Sequence, residues 1–165
     1  MIDEIKINRI LDEIEEAQNE SLRRGVILLR GPFQSGKTTI LNRYLERHRL
    51  SKKEYLLDVN VYLLECLSND RSLRTSNIAV SAKLKSKTSR LFEQYLEQYL
   101  TKHFSERSLL LIDSVELLFN YEINLIQIVY RYCQDGKIAI IGMPVDEQQG
   151  FVFDWTFSLS KIIDL

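Results

Sequence analysis

The sequence predicts an α/β fold in which a largely parallel sheet of about five strands is covered by helices on both faces. Three observations lead there. Short apolar runs rich in branched residues, among them "GVILLRG" and "KIAIIGMP", end in glycine or proline and have the composition of strands buried on both sides. Longer segments with apolar residues at helical spacing lie between them. The resulting order of strand, helix, strand, helices, strand, helix, strand, strand argues for parallel pairing in three layers.

Taken in order, residues 2–23 place Ile7, Ile10, Leu11, Ile14 and Ala17 at helical spacing between charged positions, which predicts an amphipathic helix packed on the domain by one face. "GVILLRG" is the first strand, and the helix after it runs from Lys37 to His48. "EYLLDVNVYL" is a second candidate strand that passes near Asn60 into a segment with helical potential. "SRLFEQYLEQYLTKHF" predicts a helix with Leu91, Tyr95, Leu96, Tyr99 and Leu100 on one stripe. "SLLLIDSVELLF" is an apolar strand closed by an aspartate, and "NLIQIVYRYCQDG" a helix ended by Gly136. "KIAIIGMP" is a strand stopped by Pro144, and "TFSLSKIIDL" supplies a last strand.

With 165 residues, no internal repeat and no linker, residues 1–165 are expected to form one domain. No apolar run approaches the roughly 18 to 20 residues that span a bilayer, and the N-terminus is acidic and amphipathic where a signal peptide is basic and then apolar. A cytoplasmic location is the expectation. Cys66 and Cys133 stand far apart without Cys or His neighbours, which suggests two buried thiols and neither a zinc site nor a disulfide framework. His48 and His103 are isolated near helix ends and are expected at the surface or as caps. The net charge is −1 but unevenly spread: acidic residues dominate from Asp3 to Glu20, whereas Arg71 to Arg90 holds six Lys or Arg and no Asp or Glu.

The stretch "GPFQSGKT", Gly31, Pro32, Phe33, Gln34, Ser35, Gly36, Lys37 and Thr38, matches G-x-x-x-x-G-K-[ST] in full, directly after a strand and before a helix. Glycines let the backbone turn tightly so that consecutive N–H groups point inward, and the helix N-terminus adds its positive end, which together make a cradle for phosphate. Lys37 is expected to reach out of the helix start toward the β- and γ-phosphates as a mobile point charge. Thr38 is expected to offer its hydroxyl to Mg²⁺, and Thr39 to approach the α-phosphate. A glycine turn that merely precedes a basic helix is the competing explanation, and the flanking strand and helix count against it. The fold implied is that of a three-layer P-loop NTPase.

Such a loop holds its Mg²⁺ with help from a carboxylate at the end of a neighbouring strand, and Asp113 after "LLLI" fits that role; an aspartate closing a strand can also simply cap the next segment. Many related ATPases place a glutamate directly after this aspartate to polarise water. Here the residue is Ser114, and Glu116 is the nearest replacement. Glu116 could face the nucleotide or a partner, or be a solvated residue at a helix start. Lys37, Asp113 and Glu116 are therefore the candidate catalytic residues, with hydrolysis itself left open.

Absences narrow the reaction. The guanine-reading N-K-x-D motif does not follow the fourth strand, where the chain reads "GMPVDEQQ", which favours ATP over GTP, and no "LSGGQ"-like signature occurs. "MPVDEQQGFVFDWTF" carries neither Arg nor Lys, and no helical lid is expected, so a lone subunit is expected to lack the positive charge that speeds phosphoryl transfer. Slow or partner-dependent turnover is the expectation. A small-molecule or nucleotide kinase is the rival enzyme, with "NDRSLRTSN" and the rest of the 70–90 segment as a lid over the acceptor. A third reading is a nucleotide-dependent interaction module whose Lys83, Lys85 and Lys87 meet DNA phosphates or an acidic partner, although a solvated loop is the commoner meaning of such a run.

"LLRGPFQSGKT", "LLDVNVYLLE", "LLLIDSVELLF" and "IAIIGMP", in that order and over residues 25–145, resemble the BrxF family, small P-loop proteins of type 3 BREX bacteriophage-exclusion systems. The resemblance implies a bacterial ATP-binding component that works with larger defence proteins, among them another ATPase and a DNA methyltransferase. It carries Gly31, Gly36, Lys37, Thr38 and Asp113 over as nucleotide and Mg²⁺ residues, and Asn60 and Glu116 as candidates. A homo-oligomer is also compatible with it.

Overall fold

The computed structural model describes residues 3–20, 25–70, 81–145 and 161–165, the side chains of 81–83 excepted. In chain order it contains α1 (Glu4–Glu20), β1 (Gly25–Gly31), α2 (Lys37–Arg47), a one-turn α3 (Lys52–Tyr55), β2 (Leu56–Asp58) and α4 (Val59–Asn69). These are followed by α5 (Ser81–Glu106), β3 (Leu109–Asp113), α6 (Glu116–Asn120), α7 (Leu125–Tyr130), β4 (Ile138–Pro144) and β5 (Lys161–Asp164). The five strands make one sheet in the order β2-β3-β4-β1-β5, and every pair is parallel. The expected three-layer α/β fold is present.

Alternation along the strands divides the core in two. Val26 and Leu28 of β1, Leu110 and Ile112 of β3, and Ala139, Ile141 and Met143 of β4 face a layer built from α4, α5, α6 and α7. Ile27 and Leu29, Leu111 and Ile140 face α1 and α2 on the other side. Because each central strand is covered on both faces, its residues are almost all apolar, which is why these runs were legible without strict alternation. The α1 face falls where the spacing places it: Ile7, Ile10, Leu11, Ile14 and Ala17 are all buried. Arg47 of α2 pairs with Asp12 and Glu15 at 2.8 and 3.2 Å, and the Tyr44 hydroxyl donates to Gln18 at 2.9 Å, fixing α1 against α2.

Several elements depart from expectation for local reasons. The second strand lasts only three residues, because Asp58 accepts a hydrogen bond from Val61 N at 3.0 Å and caps α4 at once. The helix expected from Ser89 begins at Ser81 and so takes in the second half of the basic run; residues 71–80 lie outside the described residues. Its buried stripe is Phe92, Leu96, Leu100 and Phe104, with Tyr95 and Tyr99 on its flank and Leu91 half-exposed. α7 stops at Tyr130, well before Gly136, whose φ of 83° serves the turn into β4.

His103 is neither at the surface nor a cap. It is buried between α5 and β3, its Nε2–H donates to Leu109 O at 2.7 Å, and its ring stacks on Tyr99 at 5.8 Å. Burial first of all lowers its pKa, so the neutral ring is held. Cys133 is buried as expected, while Cys66 is only half-buried. Among the described residues no helix is long and apolar enough to cross a membrane.

Candidate nucleotide-binding site

β1 lies between the central strand β4 and the edge strand β5, and the chain leaves it through the glycine loop into α2. Gly31 is required by space: a Cβ there would lie 2.5 Å from Ser35 Oγ and 3.0 Å from Leu165 Cβ. Gly36 is required by conformation. It sits at φ 96° as the residue before α2, and Gln34 also turns left-handed at φ 63°. No side chain caps α2, so its first N–H groups are left for another acceptor. Pro32, Phe33, Gln34, Thr38 and Thr39 are exposed along the rim, and Ser35 and Gly36 are half-buried.

Lys37 does not extend outward as the sequence reading expected. The residue is buried, and Nζ turns back to donate to Gly31 O at 2.8 Å, Pro32 O at 2.7 Å and Ser35 Oγ at 3.3 Å. The lysine thus threads the loop it was expected only to project from. Lys37 lies on the buried face of α2 with Ile40, Leu41, Tyr44 and Leu45, and the loop carbonyls supply acceptors for the buried ammonium. Burial lowers its pKa, and the charges of Asp113 and Glu116 act in the opposite direction.

Those two carboxylates come from elsewhere in the sheet. Asp113 closes β3, which is not the neighbour of β1, since β4 lies between them. The carboxylate still reaches toward the loop because the intervening strand carries Gly142: a Cβ there would lie 3.1 Å from Asp113 Oδ1. Sequence reasoning did not single out Gly142, although a glycine inside an apolar strand signals a close approach of another group. Asp113 is only 7% exposed, and the described residues give its carboxylate no hydrogen bond. A buried carboxylate without a donor is costly, and a cation beside it removes that cost.

Glu116 begins α6 and is half-buried. Asn60, one residue into α4, holds it: Asn60 Nδ2 donates to Glu116 Oε2 at 3.0 Å while Asn60 Oδ1 accepts from Leu117 N at 2.9 Å. The ends of β2 and β3 are stitched together beneath this pair. Asn60 N donates to Ser114 O at 3.0 Å, and Ser114 Oγ donates to Asp58 Oδ2 at 3.1 Å. The structure therefore brings Lys37, Asp113, Glu116 and Asn60 to one end of the sheet, beside the loop from Gly31 to Thr39.

The basic segment is described only in part. Residues 71–80, on which the kinase lid and much of the interaction surface rest, lie outside the described residues, as does the side chain of Lys83. Lys85 pairs with Glu122 at 3.7 Å. Among the described residues no three His, Cys, Asp or Glu side chains converge as an all-protein metal cage. A magnesium site made of one carboxylate, one hydroxyl, phosphate and water does not need one.

Searches of curated proteins and of solved structures found no match to the chain. A family model described as an AAA domain matches residues 10–149, a span that contains the loop, Asn60, Asp113, Glu116 and β4. AAA domains are P-loop NTPases that generally use ATP and Mg²⁺, and this protein belongs to the AAA domain family.

Proposed function

We propose that the chain binds ATP with Mg²⁺ between the loop Gly31–Thr39 and Asp113, and turns it over slowly unless a partner assists. The observation that carries this reading is the buried Asp113 carboxylate, which has no hydrogen bond among the described residues and lies over Gly142 on the side of Lys37. Thr38 and Asp113 are the residues that would hold the ion, and the ion would supply charge neutralisation between the phosphates. The loop N–H groups orient the phosphate chain, and Lys37, turning from the loop carbonyls that hold it, would meet its charge. Glu116 accepts the proton of the attacking water, from a position that Asn60 holds.

The sequence "MPVDEQQGFVFDWTF" carries neither Arg nor Lys, and slow turnover by one subunit is proposed on that ground. On the strength of the BrxF resemblance, we assign the chain to a BREX-like antiphage defence system, acting with a larger ATPase and a DNA methyltransferase. Nucleotide would govern its association with them or with itself, because an ordered γ-phosphate can hold the segments after Asn60 and Asp113 in one arrangement. DNA contact through Arg71–Arg90 belongs to the same proposal.

The test is direct. The purified protein is titrated with ATP in Mg²⁺ and in EDTA, and turnover is followed with and without DNA. Asp113→Asn should lower affinity in Mg²⁺ far more than in EDTA, and an equal loss in both would make Asp113 structural. Replacing Lys83, Lys85 and Lys87 with Glu should spare ATP affinity and abolish nucleotide-dependent assembly or DNA retention.

A further inference from the structure

Glu116 stands three positions after Asp113, beyond a turn that a regular strand or helix would not make. That turn is made at Ser114, which adopts φ 56°, a left-handed conformation disfavoured for any residue with a Cβ. Two contacts hold it there. Its hydroxyl donates to Asp58 Oδ2 at 3.1 Å, and its carbonyl accepts from Asn60 N at 3.0 Å. Asp58 is itself held, because Oδ1 accepts from Val61 N at 3.0 Å as the α4 cap.

We propose that Ser114 and Asp58 are positioning residues: by locking a left-handed turn after Asp113 they deliver Glu116 to the place that a glutamate at position 114 would otherwise occupy. The inference rests on the proposed role of Glu116. Each carboxylate oxygen of Asp58 has a separate task, one ordering the start of α4 and with it Asn60, the other ordering the exit of β3. The Asn60 side chain then joins the two ordered segments by bonding both Glu116 and Leu117 N. A glutamate so placed acts through geometry, and misplacing a reacting group by a fraction of its working distance costs rate and leaves ligand binding intact.

The experiment uses the full chain and single-turnover hydrolysis of radiolabelled ATP, with ATP affinity measured by calorimetry. Heteronuclear NMR follows the Asn60 side-chain amide, assigned by its loss in Asn60→Asp. Ser114→Ala should slow hydrolysis about tenfold or more, keep ATP affinity within about twofold, and shift the Asn60 amide signal. Ser114→Gly accepts the left-handed turn without strain and loses the same hydroxyl, so it should fold and still be slow. Asp58→Asn should retain most of the rate, because its oxygen can still cap Val61 N while its amide donates to Ser114 Oγ. The double variant Ser114→Ala with Glu116→Gln should be no slower than Glu116→Gln alone. Additive losses, a fall in ATP affinity with Ser114→Ala, or an unmoved Asn60 signal would overturn the inference. A wild-type rate in Ser114→Ala beside a slow Glu116→Gln would overturn it alone. A wild-type rate in Glu116→Gln would remove the proposed role of Glu116 as well.

Discussion

Replacing Lys37 with Met should do more than abolish ATP binding; it should destabilise the protein with no nucleotide present. Lys37 Nζ donates to Gly31 O, Pro32 O and Ser35 Oγ at 2.8, 2.7 and 3.3 Å, and the residue is buried. Desolvation lowers this lysine's pKa, so the charge itself adds no stability; the cost of the substitution is that of loop acceptors left without a donor, about 1 to 3 kcal/mol for a buried one. Gly31 O keeps a second donor, Val145 N at 3.0 Å, and Pro32 lies at the exposed rim where water can replace the lysine. A net loss of about 2 kcal/mol follows, or about 4 to 8 °C in Tm for a domain of this size. Urea and thermal unfolding in EDTA, without nucleotide, measure it. The pH dependence has a definite sign. Because the folded-state pKa of Lys37 lies below 10.5, the unfolded chain binds more protons between the two values. Wild-type stability relative to Lys37→Met therefore rises with pH across that window, while ATP affinity, which needs the ammonium, falls. A variant with unchanged Tm and no difference in pH dependence would mean that the lysine points to solvent and does not hold the loop.

Gly142→Ala puts a methyl 3.1 Å from Asp113 Oδ1 and 3.4 Å from Leu41 Cδ1, so the carboxylate must shift. Calorimetry should show ATP affinity in Mg²⁺ reduced about tenfold, with little change in EDTA. Glu116→Gln should lower turnover about a hundredfold while ATP affinity stays near wild type, as the loss of a general base requires. Asp164→Asn removes the bidentate partner of Arg30; the carboxylate is 63% exposed, so less than about 1 kcal/mol should be lost in urea unfolding. Since Arg30 holds the folded pKa of Asp164 below 3.8, that contribution is present above this value and disappears as pH falls through the folded one. Cys133, buried and pushed up to about 12, should resist alkylation in the folded protein, whereas half-buried Cys66 should react first, as mass spectrometry of the labelled chain can check.

The amino-acid sequence determined the layers, the α1 face and the phosphate loop, because each depends on local information. A parallel strand buried on both sides must be apolar nearly throughout, an amphipathic helix must repeat its apolar positions, and a phosphate cradle needs glycine at Gly36, where φ is 96°. Asp113 was legible for a similar reason, as a charge that ends an apolar run. Only the tertiary structure decided how that aspartate reaches the loop. Strand order is a non-local property: it places β4 between β1 and β3, and so makes Gly142, rather than any residue near the motif, the position that lets the carboxylate through. The same holds for Lys37 and His103, whose polar atoms turn inward because backbone carbonyls await them there. It holds most of all for Ser114. Its hydroxyl meets Asp58, 56 residues earlier in the chain, and no periodicity or spacing records a contact made when two strands come to lie side by side.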